Sequence, residues 1–173
     1  HSLSFVDDPT RMLRAVRLGG ALGFAMHSST REMISQQRVL LAMASLERVR
    51  DELFMLLGQP AVAGLSLALE LELLPLVLEP LTANHLESGL QWVAALQGAK
   101  AGENSRLRRL AACWEEEFVP DRPRYALVSL AALMGEAEEQ AWRPVRERLR
   151  LAGREDAHLY GVLKALHSPL WSA

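Results

Sequence analysis

Three observations predict an all-α fold for this chain. Leu and Ala dominate while β-branched residues are scarce, a bias toward good helix formers and away from strand formers. Apolar residues recur at spacings of three and four, which places them on one side of a helix. No stretch alternates apolar and polar residues as a half-buried strand would, and no internal repeat is visible. Half of the 173 residues are hydrophobic, enough for a real core in one ordinary domain or two small helical ones.

The elements follow in order. A first helix is expected from Pro9, with Asp8 as its N-cap and Pro at the first helical position, where the missing N–H has no partner to lose. Leu13, Val16, Gly20 and Phe24 fall on one face and are expected to pack inward. Gly19-Gly20 weakens the pattern by about 1 kcal/mol per glycine relative to Ala, unless the glycines permit a close helix approach. A second helix begins near Ser29, with Glu32 completing a capping box and Met33, Ile34, Val39 and Leu40 as its apolar side. A third follows Ser45, buries Leu46, Val49, Leu53 and Leu56, pairs Arg48 with Glu52 at i,i+4, and ends at Gly58-Gln59-Pro60. Ala61 to Leu74 reads as buried helix, broken by Pro75 and Pro80. Glu70, Glu72 and Glu79 in the same region argue against a membrane span. A helix from about Thr82 to Leu96 precedes a polar link, Gly98 to Ser105. Ser105 then caps a helix that buries Leu107, Leu110, Ala111, Trp114 and Phe118. After a turn at Pro120 to Pro123, helices over Tyr125–Met134, Glu136–Leu151 (with Pro144 as a kink or restart) and Glu155–Leu166 complete eight to ten in all. Residues 1–59 and 60–173 read as two parts of different texture.

Composition excludes several classes. A net charge of −2 gives no bulk basic field for nucleic acid. Lys100 and Lys164 are the only lysines, so the cations are otherwise all Arg, which makes planar, bidentate contacts. Cys113 stands alone, so no disulfide framework or zinc site can be built, which suits a reducing cytosol. No signal peptide is visible and a cytoplasmic location is expected. His1, His27, His85, His158 and His167 lack metal-ligand spacing. The chain opens at His1 without Met and is expected to be part of something longer.

The densest signal is Ser4-Phe5-Val6-Asp7-Asp8-Pro9-Thr10-Arg11, continuing as Leu13-Arg14-Ala15-Val16-Arg17-Leu18. Two carboxylates precede a Pro, and Arg11, Arg14 and Arg17 follow at steps of three. A second block stands as Ser45-Leu46-Glu47-Arg48-Val49-Arg50-Asp51-Glu52-Leu53. Together, and in their separation, they resemble the bacterial-type (class II) tRNA nucleotidyltransferase and poly(A) polymerase family. That family carries Glu/Asp-Asp-x-x-Arg, then Leu-Arg-Ala-x-Arg-Phe, then Ser-x-Glu-Arg-Ile/Val-x-x-Glu-Leu. The likeness covers about the first 60 residues. It looks most like the long subgroup that often adds the terminal A. Leu18, where the family usually has an aromatic, departs from the pattern and concerns packing.

The resemblance implies the family's helical neck and body, with residues 1–59 as neck and 60–173 as an RNA-binding body or tail. It implies template-independent addition of A and/or C to the 3′ end of tRNA or another RNA, with ATP and possibly CTP as substrates. The family's catalytic α/β head holds Mg2+ on two carboxylates. The five Asp of this chain (residues 7, 8, 51, 121 and 156) include no Asp-x-Asp, so the head is expected to be absent and the chain alone inactive, with no catalytic residue and no metal ligand of its own. Without a template, side chains must read the base. A carboxylate accepts from the exocyclic amine of A or C, and a guanidinium donates to a ring nitrogen or carbonyl. Asp8 and Arg11 match the family's base-reading positions, and Arg14 and Arg17 its pocket-lining ones. Asp7 is expected to hold one of these Arg in place, and Ser45, Glu47, Arg48 and Glu52 to brace the first helix. U or G would leave buried groups unpaired, at roughly 1–3 kcal/mol each.

The same residues also read as a capped, salt-bridged helix start. On that reading the chain is a non-catalytic helical interaction module that keeps the pattern for packing alone. Trp92, Trp114, Trp142, Trp171, Tyr125 and Tyr160 are expected in the core rather than stacked on bases. Arg106, Arg108 and Arg109, and Arg143, Arg146, Arg148 and Arg150, are expected on solvated mixed-charge faces.

Overall fold

The computed structural model describes residues 4–59, 62–101, 117–119, 122–151 and 153–167. Its helices are α1 (Ser4–Asp7), α2 (Thr10–Leu22), α3 (Ser28–Gln37), a 3-10 helix (Arg38–Met43), α4 (Leu46–Leu57), α5 (Val62–Glu70), α6 (Leu73–Val77), α7 (Ala83–Ala101), α8 (Arg124–Met134), α9 (Glu139–Leu149) and α10 (Gly153–Leu166). One antiparallel ribbon joins β1 (Glu117–Val119) to β2 (Arg122–Pro123). The fold is helical, as the composition predicts.

The differences have local causes. The expected helix from Ser105 lies outside the described residues up to 116, and Glu117-Phe118-Val119 is strand. Val119 precedes a proline, which disfavours helical backbone at that position. α7 runs through Gly98 to Ala101 instead of ending near Leu96. A Cβ at Gly98 would meet nothing within 4 Å, so this glycine costs only its intrinsic penalty of about 1 kcal/mol. Pro75 sits inside α6, at the helix's third position, where its missing N–H belongs to a group that has no helical partner anyway. Pro144 lies within a continuous α9. Val39 and Leu40 belong to the 3-10 helix, and Val39 is exposed. His27, not Ser29, caps α3, its ring accepting from the Ser29 N–H at 3.3 Å. Phe24 does not pack inward. Gly23 ends α2 in the left-handed region at φ 66°, turning the chain away so that Phe24 is 69% exposed.

The core is a single cluster that includes Leu13 and Val16 of α2, Leu53 and Leu56 of α4, Leu65 of α5, Leu127 and Leu130 of α8, Trp142 of α9 and Leu163 of α10. α2 packs on α4 and α5, α4 also reaches α8, and α7 and α10 flank α8. Helices from both sides of residue 59 therefore share one interior. The α2–α5 crossing is made by Gly20 and Gly64. A Cβ on Gly20 would stand 2.5 Å from the Gly64 nitrogen and 2.6 Å from its Cα, so only glycine permits this approach. Trp142 is buried, its Nε1 donating to the Ala137 carbonyl at 2.9 Å. Tyr125 is buried too. Trp92 is not core: it is 53% exposed and donates to Glu136 at 2.9 Å. Trp114, Trp171 and the Arg106–Arg109 cluster lie outside the described residues.

Candidate functional site

The Asp-Pro-Thr sequence builds the entrance to α2. Asp8 Oδ1 accepts from the Thr10 backbone N–H at 3.2 Å and from the Thr10 hydroxyl at 2.6 Å. The first of these bonds satisfies one N–H that a helix start leaves open. Asp8 thus caps the helix as predicted, with the first assigned helical residue one later, at Thr10. The second carboxylate oxygen faces two cations. Arg48 Nη2 of α4 stands 2.6 Å from Asp8 Oδ2, and Arg11 Nε stands 3.8 Å from it. Hydrogen bonds from Thr10 and Arg48 hold the Asp8 carboxyl below the usual carboxylate range, against the opposing effect of partial burial.

One turn further along, Glu52 anchors the remaining guanidinium groups. Arg14 Nε donates to Glu52 Oε1 at 2.8 Å, and Arg17 donates to Oε2 at 3.2 Å. Glu52 is buried in α4, and the two Arg compensate a charge that burial alone would make costly. The bond from Glu52 raises the Arg14 pKa, with charge attraction adding to it. The expected Arg48–Glu52 pair on α4 does not form. Both side chains reach across to α2 instead, Arg48 to Asp8 and Glu52 to Arg14 and Arg17. A local i,i+4 pair is worth only about 0.2–0.5 kcal/mol, less than charge-assisted bonds to a partly buried partner.

Exposure divides the predicted residues. The side chains of Arg11, Arg14 and Arg48 are 47%, 48% and 56% exposed, whereas Arg17 is 12% exposed and Asp8 15%. Arg11, Arg14 and Arg48 therefore present donors to solvent around a carboxylate that shows only one edge. Arg17 is largely covered and pairs with Glu52. Asp7 is exposed, and no Arg among the described residues pairs with it; Arg11 turns to Ser4, donating to its hydroxyl at 2.9 Å. Ser45 caps α4, accepting from the Arg48 N–H at 3.3 Å. Glu47 points to the far end of the chain and pairs with Arg150 at 2.5 Å. Its carboxyl is held low first by its own backbone N–H and then by Arg150.

Residues that sequence reasoning missed complete the bracing. Thr10 is buried and lies between Asp8 and Arg48, whose Nη2 is 3.4 Å from its hydroxyl. The Asp-x-Thr spacing is a turn signal that could have identified it. Arg122 bonds Asp51 at 3.1 Å and the buried Glu155 with the same guanidinium, tying α4 to α10. No local pattern links these three positions. Elsewhere, Arg143, Arg146 and Arg148 pair with Glu147, Asp156 and Glu79, the mixed-charge face that the sequence suggests. His27 and His85 bond residues at their own helix starts. His167 lies edge-on to Trp142. Among the described residues no group of three or more His, Cys, Asp or Glu could hold a metal ion. These residues do not fit Mg2+. No described helix is long and apolar enough to cross a membrane.

Residues 23–86 match the family described as a probable RNA and SrmB-binding site of polymerase A. The CCA-adding enzyme of Geobacillus stearothermophilus is 36% identical over 142 residues, covering 80% of this chain and 30% of that protein. The CCA-adding enzyme of Lactiplantibacillus plantarum is 44% identical over 63 residues, covering 36% of this chain and 16% of that one. The chain thus spans a third or less of the length of these relatives. Among solved structures, a tRNA-processing enzyme in an apo form superposes with a TM-score of 0.72 at 24% identity, over 99% of this chain and 42% of its own. The Thermotoga maritima CCA-adding enzyme complexed with tRNA-CCA gives 0.61 at 20% identity, over 95% and 37%. At these identities the superpositions establish the shared helical fold.

Proposed function

The chain belongs to the class II tRNA nucleotidyltransferase and poly(A) polymerase family, as its helical C-terminal part, and on that premise we propose that it reads the incoming base for a template-independent enzyme adding A and/or C to RNA 3′ ends. Asp8 accepts from the exocyclic amine of adenine or cytosine, and Arg11 donates to the neighbouring ring nitrogen or carbonyl. Arg14, fixed by Glu52, faces the same open side and suits the nucleotide's anionic end. Guanine and uracil present a carbonyl where Asp8 needs a donor, and two facing acceptors repel.

One observation carries this reading. A carboxylate clamped on one oxygen by Thr10 has its other oxygen beside two half-exposed guanidinium groups, Arg48 and Arg11, with the half-exposed Arg14 following on the same helix. A helix start built for packing alone would not need two half-exposed Arg side chains at one carboxylate oxygen.

The functional division follows the chain. Residues 1–59 serve the nucleotide, and residues 60–173 serve the RNA. Relatives include CCA-adding enzymes, with neighbouring structures complexed with ATP, CTP and tRNA. The substrates assigned here are accordingly ATP, possibly with CTP, and a tRNA or other RNA end. The work belongs in the cytoplasm. The chain alone is assigned no catalysis, since it lacks the carboxylate pair that the family's Mg2+ chemistry needs.

The test is nucleotide choice in the full-length protein that contains this chain. Asp8→Ala and Arg11→Ala are each expected to lower kcat/KM for the preferred nucleotide by about 10–100-fold, the loss of 1.4–2.8 kcal/mol of recognition. Incorporation of GMP and UMP should change far less. Unaltered selectivity in both variants, with the fold intact, refutes the proposal.

A further inference from the structure

Arg48 stands in the second sequence block, on α4, where the pattern suggests a brace. Its side chain is nevertheless more exposed than those of Arg11 and Arg14, and it makes the shortest ionic contact to Asp8 Oδ2, at 2.6 Å. Arg11 stands 3.8 Å from that same oxygen, beyond hydrogen-bond distance, with its guanidinium directed to Ser4. Two cations from different helices thus face one oxygen, and only the α4 cation closes on it.

We infer that Arg48 is a specificity-determining positioning residue. By occupying one lone pair of Asp8 Oδ2 it fixes the carboxylate plane and keeps Arg11 from closing on the acid, so that both groups remain available to the edge of an adenine or cytosine. The inference rests on the base-reading role proposed above for Asp8 and Arg11.

Carboxylate chemistry supplies the reason. An ionised oxygen accepts two hydrogen bonds. Oδ1 is filled by the backbone and hydroxyl of Thr10, and Oδ2 carries Arg48 on one lone pair, leaving a single acceptor direction. A base amine must take it. Without Arg48, Oδ2 offers two directions and Arg11, 3.8 Å away, is the nearest remaining cation. An Arg11–Asp8 pair would then satisfy both groups internally, which removes the acceptor and the donor that discriminate bases. The charged groups that act on this carboxylate are Arg11 and Arg14 of α2 and Arg48 of α4. Arg48 also donates within 3.4 Å of the Thr10 hydroxyl, so its guanidinium spans the cap and the reading oxygen together. Lysine, a point donor, could keep the ion pair while losing that span.

The experiment compares Arg48→Ala, Arg48→Lys, Asp8→Ala and the Asp8→Ala/Arg48→Ala double variant in the full-length protein, with kcat/KM measured for all four nucleoside triphosphates and thermal midpoints measured alongside. Arg48→Ala is expected to reduce discrimination against GTP and UTP about tenfold, chiefly through a raised KM for the preferred nucleotide. Arg48→Lys should restore part of it. In the double variant, discrimination should be no worse than in Asp8→Ala alone, because Arg48 acts through that carboxylate. An Arg48→Ala protein that slows equally with all four nucleotides, its discrimination unchanged, overturns the inference and leaves Arg48 a brace. If Asp8→Ala also leaves discrimination unchanged, the base-reading role itself fails. If Asp8→Ala relaxes discrimination while Arg48→Ala does not, only the role of Arg48 falls.

Discussion

Asp8 performs two tasks with two oxygens, and its protonation links them. One oxygen caps α2 through Thr10, and the other meets Arg48 and Arg11. Its pKa lies below the ordinary carboxylate value, mainly because the Thr10 hydroxyl and then Arg48 favour the charged form. The unfolded chain titrates near about 3.9. A carboxylate whose folded pKa is depressed contributes stability that is full above that value and is lost as pH falls through the folded pKa. Asp8→Asn keeps a capping oxygen but loses the charge. We expect it to lower Tm at pH 7 by about 2–4 °C, the shift that roughly 1 kcal/mol gives in a chain of this size. The difference from the parent should close as pH falls below about 4. A gap that persists unchanged at pH 3 contradicts the assignment. Thermal melts by circular dichroism across this range decide it.

α2 is fixed from two directions. Its inner face reaches α5 through the Gly20–Gly64 crossing; Glu52 pins its cations Arg14 and Arg17 to α4, and Arg48 of α4 holds Asp8 at its start. The adjacent glycines therefore have opposite fates on substitution. Gly20→Ala drives a methyl into the α5 backbone, and overpacking of this kind typically costs about 1–3 kcal/mol. Because α2 must then shift, nucleotide KM should rise as well. Gly19→Ala meets only the Phe24 carbonyl at 3.5 Å, an ordinary contact. It should be neutral, or stabilising by up to about 1 kcal/mol from helix propensity. Urea denaturation of the two variants separates them, and equal effects would refute the crossing. The glycine pair is legible in the sequence as an oddity inside a helix, but which of the two faces a neighbour is not. That depends on where α5 lies, and α5 is more than 40 residues away.

At the scale of the molecule, the two sequence textures share an interior. α2 packs on α5, and α4 packs on α8. Arg50, Asp51 and Arg122 extend the α4 contact toward Glu155 of α10 and the Arg150 carbonyl. Unfolding is therefore expected to be one cooperative transition, with tryptophan fluorescence and far-ultraviolet circular dichroism giving coincident midpoints. Two separated transitions would show that the neck and body fold independently. The same continuity means that a change at Arg150 or Glu155 can reach α4, and through Glu52 and Arg48 the nucleotide side.

The sequence by itself determined the helical class, most helix positions, the Asp8 cap and the family, because each is written in near neighbours: turn residues, three- and four-residue spacing, and two short motifs. It also singled out nearly all the charged residues that meet at the end of α2. Only the tertiary structure decided who pairs with whom. Arg48 left its i,i+4 neighbour for Asp8, Arg17 met Glu52, and Trp92 came to the surface. Charge partners are chosen by burial and by the approach of another helix. Both arise from chain separations of 35 residues or more, across which periodicity and propensity carry no information.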